Sequence, residues 1–139
     1  MDQKKIILNF IKKHMIGVVS TVTLNNQPES AVVEFGETDN LEIIFNTLST
    51  YRKYENLKKN NNVAFVIGWD EDITVQYEGQ AFQLSGDDLE KYRKIFFKKL
   101  PHARKWEKIE GIKFFKVVPK WVRYSDLRKH PWDVFEIRF

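Results

Sequence analysis

The sequence predicts a mainly β fold with flanking helices, a small antiparallel barrel formed by one domain over residues 1–139. Three observations lead there. Runs of β-branched and aromatic residues recur at short spacing, turn formers separate them, and only a few stretches carry helical periodicity. Five or six strands in that order make a sheet whose edges must be closed or covered, and a barrel with helices across its openings does both.

Taken in order, Ile6, Ile7, Phe10, Ile11 and Met15 share one face at helical spacing and predict an amphipathic helix that Gly17 ends. The stretch from Gly17 to Leu24 is rich in β-branched residues and precedes Asn25-Asn26-Gln27-Pro28, so a strand and a hairpin turn follow. Ser30 to Glu37 and Leu41 to Thr47 repeat the pattern around Thr38-Asp39-Asn40, which gives three antiparallel strands in succession. Tyr51, Tyr54 and Leu57 then switch to helical spacing between Thr50 and Lys59, and Asn60-Asn61-Asn62 stops that helix. Val63 to Trp69 and Ile73 to Leu84 pair about Asp70-Glu71-Asp72, an acidic trio without calcium-loop spacing and hence a solvated hairpin tip. From Asp87 to Leu100 a helix has acids in its first turn and Leu89, Tyr92, Ile95 and Phe96 on one face, with Pro101 closing it. The last strand runs from Ile112 to about Tyr124.

Composition narrows the function classes. With 42% hydrophobic and 30% charged residues the chain is apolar enough to fold. It has no cysteine, so thiolate catalysis, disulfides and cysteine-ligated metals are excluded. The opening MDQKKIILNFIKKHM resembles neither a secretory signal nor a membrane span, and a cytoplasmic location is expected. Net charge is +4, but 14 of the 23 Lys and Arg lie between Lys91 and Lys129, against three acids. Such a stretch can attract nucleic acid, although a solvated helical face is the more ordinary meaning of it.

The informative segment is FNTLSTYRKYENL. A helix N-terminus carries partial positive charge and normally attracts Asp or Glu. Here, with Ser49 or Thr50 as cap, Arg52 and Lys53 fall in the opening turn, where cations repel the helix dipole unless an anion binds. Backbone N–H groups, two hydroxyls and two cations converging behind a strand make a phosphate site. Side chains extending into water would be the simpler arrangement, at a cost of a few tenths of a kcal/mol.

The run IIFNTLSTYRKYENLKKNNNVAFVIGW, with NNQPESAVV before it and ITVQYEGQAF and FFKVVPKWVRY after it, resembles the pyridoxamine 5'-phosphate oxidase-like superfamily of FMN-binding split β-barrels, and among them the small general-stress-type members. The resemblance implies an antiparallel Greek-key split barrel with FMN as cofactor at a homodimer interface. It places Arg52 and Lys53 on the phosphate, Thr47 and Ser49 as added hydrogen-bond donors, and Val32, Val33 and Glu34 along the isoalloxazine. It further assigns Thr74 and, from the partner chain, Trp121 to the cofactor. Two features of pyridoxamine phosphate oxidases are missing: Ala31 stands where they carry an arginine, and the C-terminal DVFEIRF has Arg138 without a following histidine. The expected protein is therefore a flavoprotein other than a true vitamin-B6 oxidase.

His14, His102 and His130 are far apart and form no metal or triad motif, and no residue is assigned as catalytic base. Trp69, Trp106, Trp121 and Trp132 can stack on a flavin or on unpaired bases, but packing is the commoner role of tryptophan, and Trp121 alone gains from the resemblance. Three functions compete: an FMN-dependent oxidoreductase acting on an unidentified redox substrate, a non-catalytic binder of FMN, heme or a deazaflavin, and a nucleic-acid-binding barrel using the Lys91 to Lys129 region.

Overall fold

The structure, a computed structural model, describes residues 2–139. Helix α1 (Gln3–Lys12) is followed by strands β1 (Ile16–Val22), β2 (Pro28–Glu34), β3 (Gly36–Glu37) and β4 (Ile43–Leu48). Helix α2 (Arg52–Lys59) leads into β5 (Asn62–Ile67) and β6 (Ile73–Gln83). Helix α3 (Gly86–Lys99), a 3-10 turn (Pro101–Trp106), β7 (Ile112–Asp126) and β8 (Asp133–Arg138) complete the chain.

All strand pairs are antiparallel, in the order β2-β1-β5-β6-β7-β4-β3, with β8 added against β7. Strands β2 and β3 are consecutive in sequence yet terminate opposite ends of that order. The sheet must therefore curl until its ends meet at Phe35, the single residue between them. Phe35 is fully buried and its N–H donates to the Met15 carbonyl at 3.0 Å. Beyond this junction β2 follows β1 and β3 follows β4, so the barrel is split between β2 and β4. The expected three-strand succession is corrected here: 30–37 is two strands, and β2 does not pair with β4.

Strand β7 spans the molecule. Its first half pairs with β4 and its second half with β8, and β6 runs beside most of its length. The register shifts between Glu78 and Gly79, opposite Pro119, where the proline has no N–H to give to the ladder. A Cβ on Gly79 would lie 2.4 Å from the Val118 carbonyl oxygen, so the close approach of the two backbones requires glycine.

One core fills the barrel around Phe35, Phe45, Phe65, Tyr77 and Val117, with Ile7 and Ile11 of α1 plugging one end. A second lies under α3, where Tyr92, Phe96 and Phe97 cover Ile44 and Phe114. Strand β4 thus buries both faces, which explains why its sequence is continuously apolar rather than alternating. Helix α1 starts three residues before Ile6 because Asp2 caps it, accepting from the Lys4 N–H at 3.0 Å. It ends at Lys12, leaving Met15 outside and exposed, while Gly17 sits inside β1 close against Ile67.

The expected single closing strand is also corrected. Residues 133–138 form an eighth strand, with Phe135 stacked on Tyr124 at 5.1 Å, and Pro101 opens the 3-10 turn rather than only ending α3. No helix among the described residues is long and apolar enough to cross a membrane.

The junction is held from outside by α3. Lys99 donates to Glu37 at 2.7 Å, both side chains being nearly excluded from water, and its ammonium lies 4.0 Å from the centre of the Phe35 ring. Burial pulls the Lys99 ammonium below the usual lysine value, against the opposing effect of Glu37. Leaving one charge of such a pair unpaired costs roughly 3 kcal/mol, whereas an apolar pair of similar volume is near neutral. Lys99→Met should accordingly lower stability by about that amount in urea denaturation, and Lys99→Met combined with Glu37→Leu should recover most of it.

Candidate cofactor site

Two adjoining clefts open where β2 leaves β4. The first, of about 490 Å³, lies between β1 and β2 (Thr21, Glu29, Ala31, Val32) and the residues that open α2 (Thr50 to Lys53). The second, of about 440 Å³, is walled by Val32, Val33 and Glu34 of β2, by Asn46 to Leu48 of β4, and by Trp106 and Ile109 after α3. Val32, Tyr51 and Lys53 belong to both, so the clefts form two lobes of one site meeting at Lys53.

Strand β4 delivers its chain through Ser49 and Thr50 to α2, and Tyr51 is the N-cap, in extended conformation and without a side-chain cap. The expected Ser49 or Thr50 cap is thus corrected: Thr50 lines the first lobe, while the Ser49 N–H donates to the Gly111 carbonyl at 2.8 Å. Arg52 and Lys53 are the first two helical residues. Their environments differ sharply. Arg52 reaches the Glu29 carboxylate at 2.8 Å, and Glu29 is in turn held by the Asn56 side-chain amide, which donates to it at 2.8 Å and to the Thr21 hydroxyl at 3.0 Å. Part of the unfavourable charge at the helix opening is therefore answered within the protein.

Lys53 has no acidic partner among the described residues. Its ammonium sits 5.3 Å from the centre of the Tyr51 ring, and burial, then the neighbouring Arg52 charge, hold it below the ordinary lysine value. In the second lobe the Thr47 hydroxyl is buried and has no hydrogen-bond partner, a state that costs free energy unless something binds it. Four of the large apolar side chains that remain exposed, Val32, Tyr51, Trp106 and Ile109, converge on this same lobe. A half-buried unpaired cation, an orphaned hydroxyl and an apolar wall can together hold a molecule with an anionic end and a largely apolar body.

Of the residues expected from sequence, Arg52, Lys53, Thr47, Val32, Val33 and Glu34 are brought together in these lobes. Ser49, Thr74 and Trp121 lie outside them: Thr74 is opposite Ser125 on β7, and Trp121 sits between Glu78 of β6 and Arg138 of β8. Sequence reasoning missed Glu29, Tyr51 and Ile109, and for Trp106 it favoured packing over stacking on a flavin. Tyr51, next to the basic pair, could have been found from its position alone; Trp106 and Ile109 reach the site only through the packing of α3. The basic region from Lys91 to Lys129 is partly neutralised within the protein, since Arg93, Lys99, Arg104, Arg123 and Arg128 each have an acidic partner. No group of three or more His, Asp or Glu able to hold a metal is found among the described residues.

A barrel split at this strand junction, with flanking helices, defines the class as the split β-barrels. The chain belongs to the pyridoxamine 5'-phosphate oxidase family, whose sequence model matches residues 4–126. Among solved structures it is similar to General Stress Protein 26 from Bacillus anthracis, with 23% identity over all of both chains and a TM-score of 0.77. A pyridoxamine 5'-phosphate oxidase-related, FMN binding protein from Nostoc punctiforme matches with 13% identity, 100% and 97% coverage, and a TM-score of 0.76. A heme binding protein from Mycobacterium smegmatis gives a TM-score of 0.81 at 15% identity; 97% of this chain is covered, spanning 58% of that protein. At these identities the likenesses establish the fold. No curated protein sequence matches the chain.

The lowered Lys53 value has a testable sign. An anion beside the ammonium raises its pKa again, so binding favours the protonated form. Affinity for a phosphate-bearing ligand should be full at neutral pH and fall as pH rises, beginning below the ordinary lysine value of 10.5. Isothermal titration of FMN across alkaline pH reads this directly, and Lys53→Arg should push the fall to higher pH.

Proposed function

We propose that this chain binds FMN at the interface of a homodimer and uses it as an oxidoreductase, on a substrate other than pyridoxamine phosphate. The observation that carries the reading is Lys53, half-buried, without an acidic partner among the described residues and shared by both lobes. Arg52, Lys53 and Thr50 would hold the phosphate in the first lobe, with free N–H groups at the start of α2 adding to the attraction. The Thr47 hydroxyl would meet a polar edge of the ring, and Val32 and Val33 would pack on its apolar surface.

Bound there, FMN would take a hydride from a reduced donor and pass electrons on, so the protein need supply only position and electrostatics. This accounts for a site built without an assigned catalytic base. Ala31 lines the first lobe where pyridoxamine phosphate oxidases carry an arginine, which argues for another substrate.

The dimer is supported by an apolar row on the outside of the sheet. Val32, Val18 and Val66 are directly cross-strand neighbours on β2, β1 and β5, and Val32 is 62% exposed in the single chain. Burial of such a row by a second copy is favourable, and it would carry the partner's residues toward the lobes beside Val32. Trp121 of a second chain is proposed as one of them. The fold likeness to a heme binding protein supports a second reading, a non-catalytic cofactor binder.

Removing both cations should weaken FMN binding by at least about a hundredfold, from two charge-assisted hydrogen bonds. An Arg52→Ala, Lys53→Ala variant that keeps wild-type FMN affinity would rule out the phosphate assignment. Rapid bleaching of the bound flavin by NADH or NADPH distinguishes the oxidoreductase from the pure binder, which shows no turnover with any donor.

A further inference from the structure

The segment between α3 and β7 contains no part of the basic pair or its strand, yet it supplies one side of the second lobe. Ala103, Trp106 and Ile109 line it, together with Ile112 at the start of β7, as do Val32, Val33 and Glu34 of β2. Two of these side chains are more exposed than their chemistry favours, Trp106 at 48% and Ile109 at 39%. A free tryptophan on a turn would ordinarily fold down onto the neighbouring core; here the core under α3 takes Ala103 of the same turn and leaves Trp106 facing the cleft.

The turn is also tied across the mouth of the lobe. His102, one residue after Pro101, contacts the Glu34 carboxylate on β2, and both are partly exposed. At its other end Arg104 pairs with Glu107 at 2.7 Å, and Glu107 with Arg93 of α3 at 3.6 Å. The apolar wall is thus braced on one side by the strand it faces and on the other by the helix it follows. An exposed polar contact such as that of His102 with Glu34 adds little stability by itself. At this place it joins the turn to Glu34, which itself lines the lobe.

We propose that the segment from Pro101 to Ile109 is a ring-selecting wall, in which Trp106 packs on the flat fused-ring body of a phosphate-bearing ligand and the Glu34–His102 contact sets the gap that admits it. The class of ligand is a planar, flavin-sized ring joined to an anion, since the same lobe runs to Lys53 and the unpaired Thr47 hydroxyl. Trp106 is then a specificity-determining residue and His102 a positioning residue. The inference rests on the FMN reading above, but concerns a part of the chain that the phosphate site does not use.

The test separates ring from phosphate. FMN is titrated against the full-length protein by tryptophan and flavin fluorescence, and ribose 5-phosphate, which has the anion without the ring, is titrated as competitor. Trp106→Ala should weaken FMN by about tenfold, the size of one aromatic stacking contact, and leave the ribose 5-phosphate constant unchanged. Trp106→Phe should keep most of the affinity but lose the largest share of the tryptophan quenching seen on FMN binding, whereas Trp132→Phe should not. His102→Ala should weaken FMN and narrow its advantage over ribose 5-phosphate, and His102→Gln, which still donates to Glu34, should restore both. Unchanged FMN affinity and quenching in Trp106→Ala and Trp106→Phe, with Lys53→Ala still defective, would overturn the wall while sparing the phosphate site. Wild-type protein that takes up no FMN overturns both.

Discussion

The rest of the structure depends on the junction at Phe35. A sheet of this order has two free edges, and each carries unpaired N–H and C=O groups that must be satisfied or hidden. Here the chain itself joins the edges, because β2 ends and β3 begins one residue apart. Burying Phe35 drives the join, and Lys99 with Glu37 locks it from the α3 side. Closure at one point and not along the whole length leaves β2 and β4 diverging, and the divergence is the cleft. The same event therefore makes the barrel and opens the cleft.

Electrostatics at that site follows from where the chain emerges from β4. Helix α2 begins at the seam, so its free N–H groups and the two basic residues face the gap. Glu29, on the strand across the gap, satisfies Arg52 and with Asn56 ties the helix to β1 and β2. Arg52 is thus anchored to Glu29 while still lining the first lobe, and Lys53 beside it has no acidic partner among the described residues. Desolvation makes Lys53 the more responsive of the two, since its charge is the one least supported by the protein alone.

Much of the fold was legible in the sequence, because most strands have β-branched runs ended by turn residues, and α2 and α3 show clear helical spacing. The failures have physical causes. Nothing in 30–37 marks a change of partner strand except Gly36, where α3 passes so close that a Cβ would lie 3.3 Å from the Phe96 backbone. Strand β8 is short and alternates only between half-buried and exposed positions, a weak signal beside Pro131 and Trp132. At the site, Arg52 and Lys53 could be read because their charge contradicts the local dipole. Glu29 could not, since its pairing depends on the β1–β2 hairpin meeting α2. For Trp106 the sequence leaves stacking and packing both open, with packing the commoner role of tryptophan, and it lines the cleft in a turn whose Ala103 packs under α3 with Ile44 and Phe114.

Whether the two lobes meeting at Lys53 form a flavin site is read from absorption spectra of the purified protein, taken before and after adding FMN and in parallel with hemin. A flavin site gives a yellow species, or uptake of one FMN per chain with shifted flavin bands and quenched flavin emission, and no saturable spectral change with hemin. An unshifted free-flavin spectrum at saturating FMN, together with a stoichiometric heme band, would contradict it.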